Sequence, residues 1–152
     1  MKKAFIVTFV TVFLFFGCGG DKSRDSGQKT SEATTSGLTQ FELENGIGPI
    51  KEKLQLGPID TKLAAKGEEI WKQKCSACHK LNERYIGPAH SEVLKRRTPE
   101  FVMNIMLNPE EMQKKHPEVK KLLAEYLSVM PNQNLTLDDA RAVLEFLRLS
   151  TK

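Results

Sequence analysis

Cys75-Ser-Ala-Cys78-His79 constrains this chain more than any other stretch of its sequence. Two cysteines spaced by two residues, with histidine directly after, form the attachment signature of c-type haem. The chemistry needs that spacing. Each thiol adds to one haem vinyl group, and the imidazole of the next residue turns under the ring to bind the iron from the proximal side. A chain linked in this way must fold around a large apolar object. A zinc knuckle would need two more Cys or His ligands at short spacing, and the sequence has no second cluster. A thioredoxin-like redox pair would sit in a βαβ pattern, which is also missing.

The first residues read as an export signal. Lys2 and Lys3 give a positive start, and Ala4 to Phe16 is an apolar run interrupted only by Thr8 and Thr11. A bilayer span needs about 20 apolar residues, so this run fits the apolar region of a secretory signal instead. It ends Leu14-Phe15-Phe16-Gly17-Cys18, which resembles a bacterial lipoprotein signal, where the cysteine after a small residue is lipidated and becomes the mature N-terminus. Phe15 and Phe16 depart from the leucine and the small residue that this motif prefers at those positions. An ordinary signal peptide with a stray cysteine is the alternative. The cysteine count agrees with lipidation. Cys18, Cys75 and Cys78 are the three cysteines, and lipid on the first with haem on the other two leaves no free thiol.

Cleavage before Cys18 leaves 135 of the 152 residues. Gly19 to Gln40 is rich in Ser, Thr and Gly with charges interspersed, a composition that cannot bury enough apolar area to fold. The expected organisation is a signal peptide over residues 1–17, a lipid-anchored flexible linker over 18–40, and one folded domain over 41–152. Removing Lys2 and Lys3 from the 23 basic residues leaves 21 against 19 acidic ones, a net charge of +2. The high isoelectric point therefore carries no nucleic-acid message, and no basic arm or aromatic-basic patch is present.

The folded part reads as all-α, with about four to five short helices. Phe41 to Ile59 contains Gly46, Gly48-Pro49 and Gly57-Pro58, which mark an irregular or extended segment wrapped on the domain. A helix starts at Asp60 as N-cap, with Leu63, Ala64, Gly67, Ile70 and Trp71 at helical spacing, and runs into the haem motif. Thr98-Pro99-Glu100 opens a second helix, with threonine as cap and proline at the first helical position. Asn108-Pro109 restarts a short one by the same logic, and Pro117 begins another. Thr136-Leu-Asp-Asp139 resembles a capping box, with Asp in place of Glu or Gln, and starts a terminal helix with Val143, Leu144, Phe146 and Leu147 on its apolar side. No stretch alternates with period two, so no sheet is indicated.

This order of parts resembles class I cytochrome c from about Leu63 to Arg148. The family carries a glycine and an aromatic eight and four residues before the first haem cysteine, here Gly67 and Trp71, where the first and last helices cross. Val143 and Phe146 are the expected partners. The resemblance further implies one covalent haem c, with Cys75 and Cys78 holding it and His79 binding the iron. It implies that the carbonyl of Pro88, nine residues past His79, accepts the Nδ1–H of the proximal histidine, fixing its tautomer. It places a methionine iron ligand in the loop before the terminal helix, where Met130-Pro131 stands. A thioether ligand raises the reduction potential relative to bis-histidine ligation. Met103, Met106, Met112, His90 and His116 are the competitors. Met103 and Met106 suit core filling and, with Leu107, the lining of the haem cavity. Met112 would pack or be exposed, His90 lies only eleven residues beyond His79, and His116 before Pro117 suits an exposed cap. Arg84, Arg96, Arg97 and Tyr85 are candidates for pairing with propionates.

Phe41 through Gly57-Pro58, Arg97-Thr-Pro, Asn108-Pro-Glu-Glu-Met112 and Asn132-Gln-Asn-Leu-Thr136 are similar to the small lipoprotein cytochromes c associated with nitrous oxide reductase in Bacteroidetes. That likeness implies a periplasmic, membrane-tethered, monomeric one-electron carrier between a redox donor and acceptor, serving denitrification, with no catalytic residues. The alternatives are a haem enzyme module, of peroxidase or nitrite-reductase type, and a haem-based gas sensor. The first needs an open iron position or a second haem; in the second, Met130 is displaced.

Overall fold

The structure, a computed structural model, describes residues 37–151. The expected signal peptide, Cys18 and nearly all of the linker lie outside the described residues. Seven helices and no strands form the described part, two helices more than the five expected starts. They are α1 Gln40–Asn45, α2 Thr61–Lys74, α3 Val93–Arg96, α4 Pro99–Leu107, α5 Pro109–Lys115, α6 Pro117–Tyr126 and α7 Leu137–Ser150.

Three helix starts follow directly from side-chain chemistry. Asp60 accepts from the backbone N–H groups of Lys62 and Leu63, each at 3.0 Å, and opens α2. Thr98 Oγ1 accepts from Phe101 N–H at 3.1 Å ahead of Pro99 and α4. Thr136 and Asp139 exchange bonds in a complete capping box, so aspartate serves where Glu is usual. Asn108 departs from the expectation. It makes no side-chain cap on α5; its amide instead donates to Ile47 O at 3.2 Å and to Glu111 at 3.0 Å.

The two helices not foreseen are α1 and α3. Thr39 and Glu42 form a capping box that starts α1, and Leu38 before it is buried. The packed chain thus begins a few residues ahead of Phe41. Beyond α1 the segment from Gly46 to Ile59 is irregular, as its Gly and Pro content dictates. Buried polar side chains bind it. Asn104 donates to Asn45 O at 2.9 Å and Ile50 O at 3.0 Å and accepts from Ile50 N–H at 2.9 Å. Glu100 accepts from Leu54 N–H at 2.7 Å, and Arg148 donates to Gly57 O at 2.7 Å.

The main core lies where α2 crosses α7. Ala64, Gly67 and Trp71 form the buried face of α2, against Ala140, Val143, Leu144, Phe146 and Leu147 of α7. A Cβ on Gly67 would stand 1.9 Å from the carbonyl oxygen of Ala142 and 2.9 Å from the nitrogen of Val143, so only glycine lets the two backbones meet. The Trp71 and Phe146 rings pack at a 5.7 Å centroid separation. Glu145 is fully buried on α7, and its carboxylate is held by Arg148 at 2.7 and 2.8 Å and by Arg141.

A smaller core joins Leu38, Ile47, Phe101, Met112 and Val119. Met112 is fully buried here and its sulfur lies 2.9 Å from Ile47 N, so it is engaged away from the haem motif. His116 is a cap, as foreseen, but it is buried rather than exposed. Its Nδ1 accepts from Glu118 N–H at 3.2 Å, which leaves Nε2–H to donate to Glu42 O at 3.1 Å and Leu43 O at 3.2 Å. The ring is therefore the bolt between α6 and α1, and burial holds its pKa below the usual value.

Candidate haem-binding site

The end of α2 delivers the motif. Cys75 caps the helix, its N–H bonding to Trp71 O, and the chain then turns tightly, with Cys78 N–H and His79 N–H both donating to Cys75 O at 3.1 and 2.9 Å. That turn brings Cys75, Cys78 and His79 to one wall of a cavity of about 470 Å³. Burial, followed by the nearby Cys78, pushes the Cys75 thiol up to about 11, so it rests as a neutral thiol in the bare chain.

The His79 ring is oriented from three directions. Its Nδ1 lies 3.0 Å from the carbonyl oxygen of Pro88. A carbonyl only accepts, so Nδ1 carries the proton and Nε2 keeps its lone pair for a metal. Gly87 passes so close that a Cβ there would sit 2.4 Å from His79 Cε1. The Gly87-Pro88 loop therefore holds the ring by contact as well as by hydrogen bond. The His90 ring stacks against the other side, with centroids 4.0 Å apart. His90 Nδ1 accepts from the Trp71 indole N–H at 2.9 Å. Burial, with smaller contributions from His79 and Arg96, lowers the His90 pKa to about 3, so this ring is a neutral packing surface. Burial also lowers the pKa of His79, opposed by the bond to Pro88.

Met130 and Met106 line the same cavity as His79, together with Phe101, Val102, Ile105 and Leu147. Met103 and Leu107, expected on this wall, do not line it; Met103 is buried in the main core and Leu107 packs against that core. Met106 projects from the last turn of α4 and is buried. Met130 belongs to the loop between α6 and α7, and Gln113 of α5 grips its backbone. Met130 N–H donates to Gln113 Oε1 and Gln113 Nε2 donates to Met130 O, both at 2.9 Å. The sequence reading missed Gln113 as part of the site; it marked the Gly87-Pro88 turn, and it weighed His90 only as a competing ligand. Gly87 left a signal in the Gly-Pro turn, whereas Gln113 left none.

Of the candidate propionate partners, Arg84, Arg96 and Arg97 line the cavity and Tyr85 does not. Arg84 is bound to Glu125 at 3.1 Å, Arg96 donates to Ala89 O at 3.1 Å, and Arg97 pairs with Glu118 at 3.1 Å while lying over the Phe101 ring. An apolar cavity with two thiols, an oriented imidazole and thioether sulfurs on its walls, and guanidinium groups around it, fits a covalent haem with two carboxylates. Among the described residues no cluster of three or more His, Cys, Asp or Glu side chains makes a competing metal site.

The Cytochrome c family model matches residues 64–150. Among solved structures, a cytochrome c from Rhodothermus marinus is 46% identical with a TM-score of 0.68, the match covering 72% of this chain and 94% of that one. An engineered cytochrome c from the same organism is 45% identical with a TM-score of 0.67, covering 72% of this chain and 95% of that one. The engineered protein bound to a carbene intermediate is 46% identical with a TM-score of 0.65, at the same coverages of 72% and 95%. Comparison with curated proteins gave no match. Family match, all-helical fold and cavity agree: this chain belongs to the cytochrome c family, as a monohaem class I member carrying covalent haem c on Cys75 and Cys78.

Proposed function

We propose that this protein is a periplasmic one-electron carrier, tethered to a bacterial membrane by lipid on Cys18, that passes electrons between a redox donor and acceptor as a monomer. Haem c, when bound, supplies an iron that cycles between the ferrous and ferric states. The chain's own residues do the rest. Pro88 fixes the His79 tautomer, and Gly87 and His90 hold the ring's position. Met130, on the same cavity, would supply a thioether ligand to that iron. Ligation by both His79 and Met130 would favour electron exchange over binding of oxygen or substrate. The observation that carries this reading is the pairing of an oriented His79 with a backbone-gripped Met130 on one cavity. An enzyme module or gas sensor would need that position open. The nitrous oxide reductase likeness supports a place in denitrification. The Leu14 to Cys18 sequence and the polar stretch behind it support the tether.

One experiment addresses both halves. Cys18→Ser should move the protein from the membrane pellet to the soluble periplasmic fraction, because anchor and haem use different cysteines. The released protein should retain covalent haem and titrate as a single one-electron couple. Retention in the pellet would refute the tether. Failure to titrate as one electron would refute the carrier.

A further inference from the structure

Met130 sits in a loop, residues 127–136, with little polar attachment of its own. Asn134 N–H donates to Asn132 Oδ1 and Gln133 Nε2 to Pro131 O, both within the loop. Leu127 and Asn134, both at φ +51°, turn the chain at its two ends. Among the described residues, the polar ties from positions 128–135 to the rest of the fold are the two bonds of Gln113 to Met130. Gln113 is itself steadied, since its Nε2 also donates to Pro109 O at 2.9 Å. One amide thus engages both backbone polar groups of the residue that bears the thioether. Its α5 helix is fixed at the other side by Met112, fully buried in the second core.

We propose that Gln113 is the positioning residue for the axial methionine: by holding the Met130 backbone it keeps the loop closed and sets how readily another ligand can take the sixth position. The proposal rests on the reading of Met130 as iron ligand. The physical argument is a population shift. An outside ligand binds only when the loop is displaced, so its apparent affinity is the intrinsic affinity multiplied by the open fraction. Each hydrogen bond favours the closed loop by a factor of roughly 2 to 10. Losing both bonds should raise the open fraction by roughly 4- to 100-fold, about tenfold in mid-range.

The test is imidazole titration of the ferric, haem-bearing protein. Gln113→Leu keeps a side chain of comparable bulk and removes both bonds. Gln113→Glu keeps an acceptor for Met130 N–H and loses the donor to Met130 O. Met130→Ala serves as reference. Gln113→Leu should keep its covalent haem and bind imidazole about tenfold more tightly than the natural protein, with Gln113→Glu between them. Met130→Ala should bind most tightly of all. If Met130→Ala binds more tightly while both Gln113 variants match the natural protein, the positioning role is wrong and the ligand reading stands. A Gln113→Leu protein that melts at a lower temperature with its imidazole affinity unchanged would likewise overturn the positioning role. If Met130→Ala matches the natural protein, the ligand reading fails and the proposal falls with it.

Discussion

Replacement of both Cys75 and Cys78 by serine is expected to leave a chain that is largely unfolded or is degraded in the cell. The substitution removes the two covalent links and lets the haem escape. What remains is a space of 470 Å³ flanked by Phe101, Val102, Ile105, Met106 and Leu147. Closed, dry apolar space costs about 24 cal/mol per Å³, and because this space opens to solvent only its dry inner part, between those apolar walls, bears that cost. The whole stability of a small domain is about 5–15 kcal/mol, so even a fraction of this loss decides the outcome. Met106 and Leu147 belong to the core at the crossing of α2 and α7, so collapse of the cavity disturbs that crossing too. Far-UV circular dichroism is the readout. Helix content equal to that of the haem-bearing protein would show that the polypeptide folds without its cofactor.

Gly67→Ala should also destabilise the fold, although in an isolated helix the same change would favour helix by about 1 kcal/mol. The added methyl would have to occupy a point 1.9 Å from a backbone oxygen of α7, and backbone cannot rotate aside as a side chain can. Helix α7 must shift, which pulls Val143 and Phe146 off Trp71. The net cost should be about 3 kcal/mol, at the upper end of overpacking effects. That corresponds to a fall of roughly 10 °C in Tm for a domain of this size. Gly57→Ala is the control, since a Cβ there meets nothing within 4 Å. A Gly67→Ala protein that melts with the Gly57→Ala control would show that α2 and α7 are less closely apposed.

These two results concern features that are local in the chain. The haem motif, the caps at Asp60, Thr98 and Thr136, and the Gly67–Trp71 pair involve residues within a few positions of one another, and such chemistry is legible in sequence. Helix α1 was legible as well, because Thr39-Gln-Phe-Glu42 is a capping box, but the glycines at 46 and 48 masked so short an element. Helix α3 has four residues and no apolar period to read. The rest of the site depends on distance along the chain. Asn104 finds its partners 54 to 59 positions away, and His116 reaches 73 and 74 positions back to α1. Gln113 meets Met130 across 17 positions, and a half-buried glutamine between Met112 and Lys114 has nothing to mark it. Glu145 has arginines at favourable helical spacing, yet its burial follows from the packing of α7 alone. His90 shows the same limit. Its nearness to His79 in sequence argued against an opposite-face ligand, but its stacking against that ring required the fold.

The central claim of the proposed function is that His79 and Met130 would both ligate the haem iron. Met130→Ala tests it most directly, through the far-red charge-transfer band of the ferric protein and its midpoint potential. The natural protein is expected to show the band with low-spin iron. The variant is expected to lose the band and to have a lower potential, because a replacement ligand or an open position no longer supplies a soft thioether. An unchanged band and potential in the variant would contradict the claim, and would pass the role to Met106, the other methionine on the cavity wall.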